Sequence, residues 1–191
     1  PPPAGSRQLP LPRPTAEISA RAGRVGRDLV RRAKGGKYSA KPARKEKWEL
    51  PEAPPLRREK TGKADAANDL AKILLGDKAM RTVKTPADDV VINRESLEHI
   101  AEDRRARRER YAHFILPTLE YPEEVWLAFY PKQREFRKRY LKVFEGPDYR
   151  FMAIIREGAD GSILKTFFKA PRWSYVDKQR QGVLIYKKGR K

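Results

Sequence analysis

The chain has 191 residues, and its 44 Lys and Arg against 25 Asp and Glu give a formal net charge of +19. The absence of cysteine excludes disulfide bonds and cysteine-ligated zinc, the 2 histidines show no metal-ligand spacing, and no apolar run approaches the roughly 18 residues that cross a membrane. A charge of this size attracts polyanions, so the expected partner is nucleic acid and not a membrane.

The first third of the chain differs from the rest. Residues 1–64 hold 17 Lys and Arg against 6 Asp and Glu, together with 10 of the 16 prolines. Such a segment cannot bury enough apolar surface to offset the conformational entropy lost on ordering, about 1–2 kcal/mol per residue. We expect residues 1–64 to be a basic, Pro-rich, largely disordered arm. One helix could form at residues 15–34, either as a solvated run of charge or on binding nucleic acid or an acidic partner.

Helical periodicity dominates the next part of the chain. The stretch "ADAANDLAKILLGDKAM" predicts a connecting helix over residues 65–84, with Leu70 and Leu74 on one face. A second helix should begin after Asn93, which is a suitable N-cap, and continue until Pro117. The stretch "PEEVW" then predicts a short helical turn, because its proline can occupy the first helical position.

After Trp126 the period of the apolar residues changes from about 3.6 to about 2, which is typical of strands. Four strands are predicted in "EFRKRYLKVFE", "YRFMAIIRE", "ILKTFFKA" and "QGVLIYKK", and an Asp-Gly pair joins the second and third by a tight turn. Helices followed by strands define the α+β class. We therefore predict that residues 85–191 form an α+β domain in which helices precede a four-stranded antiparallel sheet.

Several short segments follow one another in a distinctive order: "RERYAHFILPTLEYPEEVWLAFY", "KRYLKVFE", a strand ending in a Gly turn, "LKTFF" and "RQGVLIYKK". In this order, over roughly residues 90–188, the chain resembles the phage-associated nuclease-like domains of the barnase, EndoU, colicin and RelE-like (BECR) fold group. These domains occur at the C-termini of phage head-morphogenesis or minor head proteins and in polymorphic toxins. The resemblance implies a helical layer on an antiparallel sheet whose concave face, in active members, cleaves RNA without a metal or other cofactor.

In such cleavage the 2′-hydroxyl is the nucleophile and a 2′,3′-cyclic phosphate is left, so the site needs a base, an acid and fixed cations. The resemblance favours Thr166 as a hydroxyl that contacts phosphate and Tyr186 as a phosphate ligand or proton donor. Arg180, at the entrance to the last strand, could bind a phosphate through two hydrogen bonds. The structural alternatives are a solvated Thr166, a core Tyr186 with a wet hydroxyl and a rim Arg180.

Histidine is the side chain suited to proton transfer near neutral pH. Helical spacing directs both His99 and His113 away from the apolar stripe, so a surface position is the alternative for each. Of the two, His99 is the candidate, because the first helix borders the cleft in the fold group. The predicted catalytic residues are therefore His99, Thr166, Arg180 and Tyr186.

Substrate-binding residues are predicted on strands and in one loop. Basic and aromatic side chains alternate in the first strand, as on surfaces that follow a phosphate backbone, although an edge strand with a charged wet face would look the same. Lys165 and Thr166 should point to opposite faces of a regular strand, so only one of them could line a cleft. The candidates for substrate binding are Arg137, Arg139, Tyr140, Lys165, Arg172, Trp173 and Lys187.

Together with the basic charge, the resemblance predicts a metal-independent ribonuclease, without cofactor, that binds RNA in preference to DNA. A second hypothesis is a non-enzymatic nucleic-acid-binding component of a virion or ribonucleoprotein, in contact with phage structural proteins. A third is a toxin domain neutralised by an acidic immunity protein. In each case the protein is expected in the virion or the host cytoplasm.

Overall fold

The computed structural model describes residues 41–57, 62–103 and 107–189, so the predicted helix at 15–34 lies outside the described residues. The α-helices are α1 (Lys63–Leu74), α2 (Arg94–Glu102), α3 (Ala112–Glu120) and α4 (Trp173–Gln179), and short 3₁₀ helices cover Ala43–Lys45 and Arg108–Tyr111. The strands are β1 (Met80–Lys84), β2 (Asp89–Asn93), β3 (Glu124–Tyr130), β4 (Glu135–Val143), β5 (Arg150–Gly158), β6 (Gly161–Lys169) and β7 (Val183–Lys187). None of the described helices is long and apolar enough to span a membrane.

The strands form one seven-stranded sheet in the order β1-β2-β6-β5-β4-β3-β7. β2 and β6 are parallel, and the other neighbouring pairs are antiparallel. The α+β class is therefore confirmed, whereas the four-stranded antiparallel sheet is wrong. The sequence interpretation missed β1 and β2, which are short, and read the start of β3 as a helical turn.

The helices also differ from their predicted bounds. α1 ends at Leu74, just before Gly76, so the predicted connecting helix over 65–84 is too long and its last residues belong to β1. Asn93 does cap α2, because its side-chain oxygen accepts a hydrogen bond from Ser96 N at 2.9 Å. That helix stops at Glu102 instead of reaching Pro117, which lies inside α3.

The last strand is present, but its neighbour is not the one expected. β7 pairs with β3 at the far edge of the sheet, whereas a meander would place it beside β6. The connection between β6 and β7 contains α4, in a segment that was interpreted as a loop. β6 and β7 are consequently separated by three strands.

The main core lies between one face of the sheet, here called the helix side, and α1, α2 and α3. Its fully buried side chains include Leu70, Leu97, Phe114, Phe151 and Phe167. Each such side chain contributes about 1.5–3 kcal/mol when it is removed from water, so this layer holds the domain together.

Residues 41–57 are here called the strap. The opposite face of the sheet, the outer face, is covered at one end by α4 and by the first residues of the strap, whereas Ala53 and Leu56 of the strap pack against the helix-side core. Ala43, Leu141, Met152, Ala170 and Val176 form a second small core on the outer face. Trp48 of the strap stacks on Trp173 with ring centroids 6.3 Å apart, and Ala43 N donates to Asp177 Oδ1 at 2.7 Å. Residues assigned to the arm by composition thus contact the sheet, while the predicted domain boundaries stay predictions.

Candidate active site

α2 lies along part of one edge of β6. β2 pairs with β6 only at Ser162 and Ile163, and Asn93 then leads directly into α2. The helix and the 3₁₀ helix that follows it contact the rest of β6, in the place where another strand would lie. The sheet therefore has a helical wall beside β6.

A cavity of about 370 Å³ opens between this wall and β6. Its lining combines cationic and imidazole groups with carboxylates, which are the groups required for proton transfer and for binding an anion. The lining residues used below are His99, Lys165, Arg156, Glu102, Glu95 and Asp160.

His99 and Glu102 form a pair on the exposed side of α2. Nδ1 of the imidazole lies 3.1 Å from Oε2 of Glu102, and the two side chains are 51% and 53% exposed. With the proton on Nδ1, the carboxylate accepts that hydrogen bond and Nε2 is left as a proton acceptor. In that tautomer the imidazole at the cavity can accept a proton at Nε2.

Lys165 reaches the cavity because β6 is irregular. Thr166 pairs with Ile154 and Leu164 with Ile155, so Lys165 is an additional residue in a β-bulge. A bulge turns the side chains next to it away from strict alternation. Lys165 lines the cavity at the edge of the sheet, and none of the other described residues forms an ion pair with it.

Arg156 connects the cavity with the outer face. It pairs across the strands with Arg137, and its Nη2 donates to Asp160 Oδ2 at 2.8 Å. The hydrogen bond to Asp160 raises the pKa of Arg156, and the negative charges of Glu135 on the outer face and Glu95 on α2 add to that increase. The guanidinium therefore lies between the two surfaces.

The outer face beyond the strap carries a cluster of arginines beside a tyrosine. The Arg137 guanidinium lies 4.1 Å from the centre of the Tyr130 ring and binds Glu135 Oε1 through Nε at 2.6 Å. Arg139 Nε donates to Tyr130 Oη at 3.0 Å, and its Nη1 donates to the Gln179 carbonyl at 2.7 Å. Arg139 is buried, so the prediction that it binds substrate is corrected, and Arg137 and Arg156 alone are called the arginine face below.

Thr166 also lies on the outer face, where a residue that sequence reasoning missed contacts it. Arg108 Nη1 donates to Thr166 Oγ1 at 2.8 Å, and Arg108 Nη2 donates to Asp103 Oδ2 at 2.9 Å. Thr166 is two strands from Arg139 in the same cross-strand row, a separation of about 10 Å. Arg108 stands in the run "RRARR", in which the sequence offers no signal to separate one arginine from the next.

Two of the four predicted catalytic residues lie elsewhere, so the set does not converge on one point. Arg180 is buried against Glu124, Glu46 and the strap, which corrects the expectation of a guanidinium free to bind phosphate. Tyr186 is half-buried on the helix side, on the face opposite Thr166. Lys187, predicted to bind substrate, lies 3.2 Å from Glu46 and 3.4 Å from Glu124.

Other predicted substrate-binding residues also need correction. Tyr140 is fully buried on the helix side, where its hydroxyl lies 2.8 Å from Thr85 Oγ1 and donates to Asp88 Oδ1 at 3.0 Å. Burial, and then the negative charge of Asp88, raise the pKa of Tyr140 well above its usual range. The ring is therefore not available to stack on a base.

Arg172 and Trp173 lie at the start of α4, away from the cavity. Arg172 is exposed, and its role in substrate binding stays a prediction. Trp173 is half-buried, and its ring contacts Trp48 and the Arg150 guanidinium, which lies 4.8 Å from the ring centre. A base could stack on this ring only by replacing one of these contacts.

The chain matches a known family of protein domains over most of its length. The family model described as phage-Barnase-EndoU-ColicinE5/D-RelE like nuclease2 (PBECR2) matches residues 65–187. No curated protein and no solved structure matches the chain. Within the described part of the chain, no group of three or more His, Asp or Glu side chains is arranged to hold a metal ion.

Proposed function

The chain belongs to the PBECR2 family of nuclease-like domains, and on this premise we propose that it is an endoribonuclease acting through the 2′-hydroxyl of RNA, without a metal or cofactor. The observation that carries the proposal is the cavity beside β6, where the His99–Glu102 pair, Lys165 and Arg156 meet. This set contains a proton acceptor and two cations in one place.

The proposed reaction has a single transesterification step. His99 Nε2 accepts the proton of the 2′-hydroxyl, whose oxygen attacks the neighbouring phosphorus and forms the cyclic phosphate. The bond from phosphorus to the 5′-oxygen breaks, and the Lys165 ammonium supplies the proton that this leaving oxygen takes up. Arg156 stabilises the additional negative charge on the phosphorane.

The arginine face supports the proposal, because it is a surface that can bind the rest of the RNA strand. Arg137 and Arg156 are cross-strand neighbours, and Arg156 also lines the cavity, so a polyanion can extend from one surface to the other. Cations spaced along a groove bind a phosphate backbone with little dependence on sequence. The family supports a nucleic acid as the substrate, and the attack by a 2′-hydroxyl makes RNA the proposed one.

The test compares the two histidines of the chain. End-labelled RNA is incubated with His99→Gln, with His113→Gln and with the unmodified protein in EDTA, and the products are analysed for 2′,3′-cyclic phosphate ends. His113 is exposed on α3 and lines an apolar groove near α1, so its variant is the matched control. We expect His99→Gln to lower kcat/KM by about 10²–10⁴-fold, as general acid–base catalysts do, and His113→Gln to retain activity.

The outcome also separates the proposal from its alternatives. If the unmodified protein binds RNA in a salt-dependent way but does not cleave it, the non-enzymatic role is supported and the proposed activity is contradicted. If RNA with a single 2′-deoxy position is still cut at that position, the 2′-hydroxyl is not the nucleophile. Association with phage structural proteins, neutralisation by an immunity protein and location in a virion or host cytoplasm stay predictions.

A further inference from the structure

The Arg108–Thr166 contact joins the 3₁₀ helix to the outer face of β6. Arg108 Nη1 donates to Thr166 Oγ1 at 2.8 Å, and Asp103 Oδ2 accepts from Nη2 at 2.9 Å. The Phe168 ring lies below the guanidinium, with its centre 6.0 Å from the guanidinium carbon. Two hydrogen bonds and a ring contact therefore fix the plane of the Arg108 guanidinium.

The chemistry of this contact determines the orientation of the Thr166 hydroxyl. A guanidinium has only donors, so the Thr166 oxygen must accept, and its own proton must point in another direction. The cation behind the oxygen makes that proton a better donor, because hydrogen bonds in a chain polarise one another. The hydroxyl is thus prepared to donate to an anion.

The position of Thr166 indicates which anion. The preceding residue, Lys165, lines the cavity, and Thr166 shares the outer face with Arg139, two strands away. A strand of RNA that leaves the cavity over the outer face of β6 would pass Thr166. The group that such a strand presents at regular intervals is a phosphodiester.

The segment that carries Arg108 also has two features that are unfavourable for the stability of the fold. Arg108 Nε is buried and has no hydrogen-bond partner within the described residues, which is unfavourable for a buried donor. Arg107 before it adopts a left-handed conformation with φ of 45°, which is unfavourable for a residue with a side chain. A contact formed against these costs points to a functional role.

We propose that Arg108 is a positioning residue that orients the Thr166 hydroxyl to donate to a backbone phosphate of the bound RNA. The proposal rests on the proposed function for its ligand. Thr166 follows Lys165, and Lys165 lines the cavity that holds His99. The phosphate bound by Thr166 is therefore one that neighbours the cleaved bond. Arg108 acts through Thr166 and does not itself contact the substrate.

The experiment is a double-mutant cycle on RNA affinity, measured with a 2′-O-methyl oligonucleotide that cannot be cleaved. Thr166→Val removes the hydroxyl, Arg108→Met removes its partner, and Thr166→Ser keeps the hydroxyl. We expect each of the first two variants to weaken binding about tenfold, the double variant to lose no more than Arg108→Met alone, and Thr166→Ser to bind as the unmodified protein does. Losses that multiply to about a hundredfold would show independent contributions and overturn the proposal.

A second readout identifies the ligand group. A series of the same oligonucleotides carries one neutral methylphosphonate at each phosphate in turn. The unmodified protein should lose about tenfold in affinity at one position, and Thr166→Val should lose nothing there, since its contact is already absent. Equal losses in both proteins at every position contradict a phosphate contact by Thr166.

Controls separate folding and catalysis from this result. Lys84→Met removes a charge from an exposed position on β1. It therefore measures how much affinity is lost when only the general electrostatic attraction between protein and RNA decreases. Thermal unfolding of each variant reports its stability, and affinities are compared below the lowest midpoint. Cleavage of ordinary RNA is measured separately, so that an inactive protein contradicts the proposed function while the binding cycle still decides the role of Arg108.

Discussion

Arg180 and Glu124 form a two-point ion pair in the interior, with Nε 2.7 Å from Oε2 and Nη2 2.8 Å from Oε1. The two side chains are 2% and 0% exposed. Arg180 Nη1 also donates to the Lys41 carbonyl at 2.7 Å, and Trp126 Nε1 donates to Glu124 at 2.8 Å. The pair therefore joins the strap, β3 and the residue that follows α4.

Replacement of Arg180 by Met should destabilise the fold, because it leaves the Glu124 carboxylate buried without its main partner. Breaking one side of a buried pair costs about 3–5 kcal/mol. Urea unfolding gives the free energy directly, and Arg172→Met serves as the exposed control, with an expected effect within about 0.5 kcal/mol. Equal stability of the two variants would show that Arg180 is not a structural residue.

The same pair predicts a loss of stability in acid. Burial raises the pKa of Glu124, but hydrogen bonds from Arg180 and Trp126 and the charges of Arg180 and Lys187 outweigh burial, so its pKa is lowered overall. The unfolded chain then binds more protons in acid, and the contribution of the pair is present above the unfolded pKa and lost as pH falls through the folded pKa.

The measurement is the free energy of unfolding from about pH 6 to about pH 3, compared with Glu124→Gln. The unmodified protein should lose stability more steeply over this range than the variant, whose side chain does not titrate. Parallel curves for the two proteins would contradict a lowered pKa at Glu124.

Gly182 is required where the chain enters β7. Its φ is +93°, and a Cβ there would lie 2.1 Å from the Leu127 carbonyl oxygen of β3. Gly182→Ala must therefore move β7 away from β3 in addition to straining the backbone, and we expect a loss of at least about 2 kcal/mol. Gly161→Ala is the matched control, since Gly161 has φ of +103° but open space around its Cβ position. A smaller loss of stability in Gly182→Ala than in Gly161→Ala would mean that β7 can move away from β3 without destabilising the fold.

A substitution of Tyr140 tests whether this residue is a core residue, as in the structure, or binds substrate, as the sequence predicted. Tyr140→Phe removes one hydroxyl from the hydrogen bonds with Thr85 and Asp88 and should cost about 1 kcal/mol of stability. RNA affinity should be unchanged, because the ring lies in the helix-side core. Stability and RNA affinity can be measured on one preparation. Weaker RNA binding without loss of stability would support the prediction that Tyr140 binds substrate.

Arg137 should contribute to RNA binding through charge. Arg137→Gln is expected to weaken binding similarly for all sequences and to reduce the slope of log affinity against log salt by about 1. Lys84→Gln, on the exposed edge strand β1, gives the effect of net charge alone. An equal slope of log affinity against log salt for both variants would contradict a role of the arginine face in RNA binding.

Much of the local structure could be predicted from the chain itself. The cap at Asn93 and the burial of Leu97 and Ile100 behind it follow from side-chain chemistry and helical spacing. The strands β4, β5 and β6 follow from alternation and from the Asp-Gly turn, which are also local signals. β1 and β2 were missed because five residues of alternation are too few to distinguish a strand from a loop.

The candidate site could be predicted only in part. His99 and Lys165 were selected for their chemistry, and the structure brings them to one cavity. The bulge that allows Lys165 and Thr166 to serve adjoining surfaces depends on the pairing of β6 with β5, and the contact between Arg108 and Thr166 joins residues 58 positions apart. Neither arrangement leaves a signal in a single sequence.

The sequence by itself determined the charge of the protein, the faces of its helices, most of its strands and the resemblance that identified its family. The tertiary structure alone decided that β7 lies beside β3, that Arg180 is an internal ion-pair partner and that Thr166 faces Arg108. The reason is physical: helical and strand periodicity depend on neighbours a few residues away, whereas the partner of a strand or a buried charge is set by packing between distant parts of the chain.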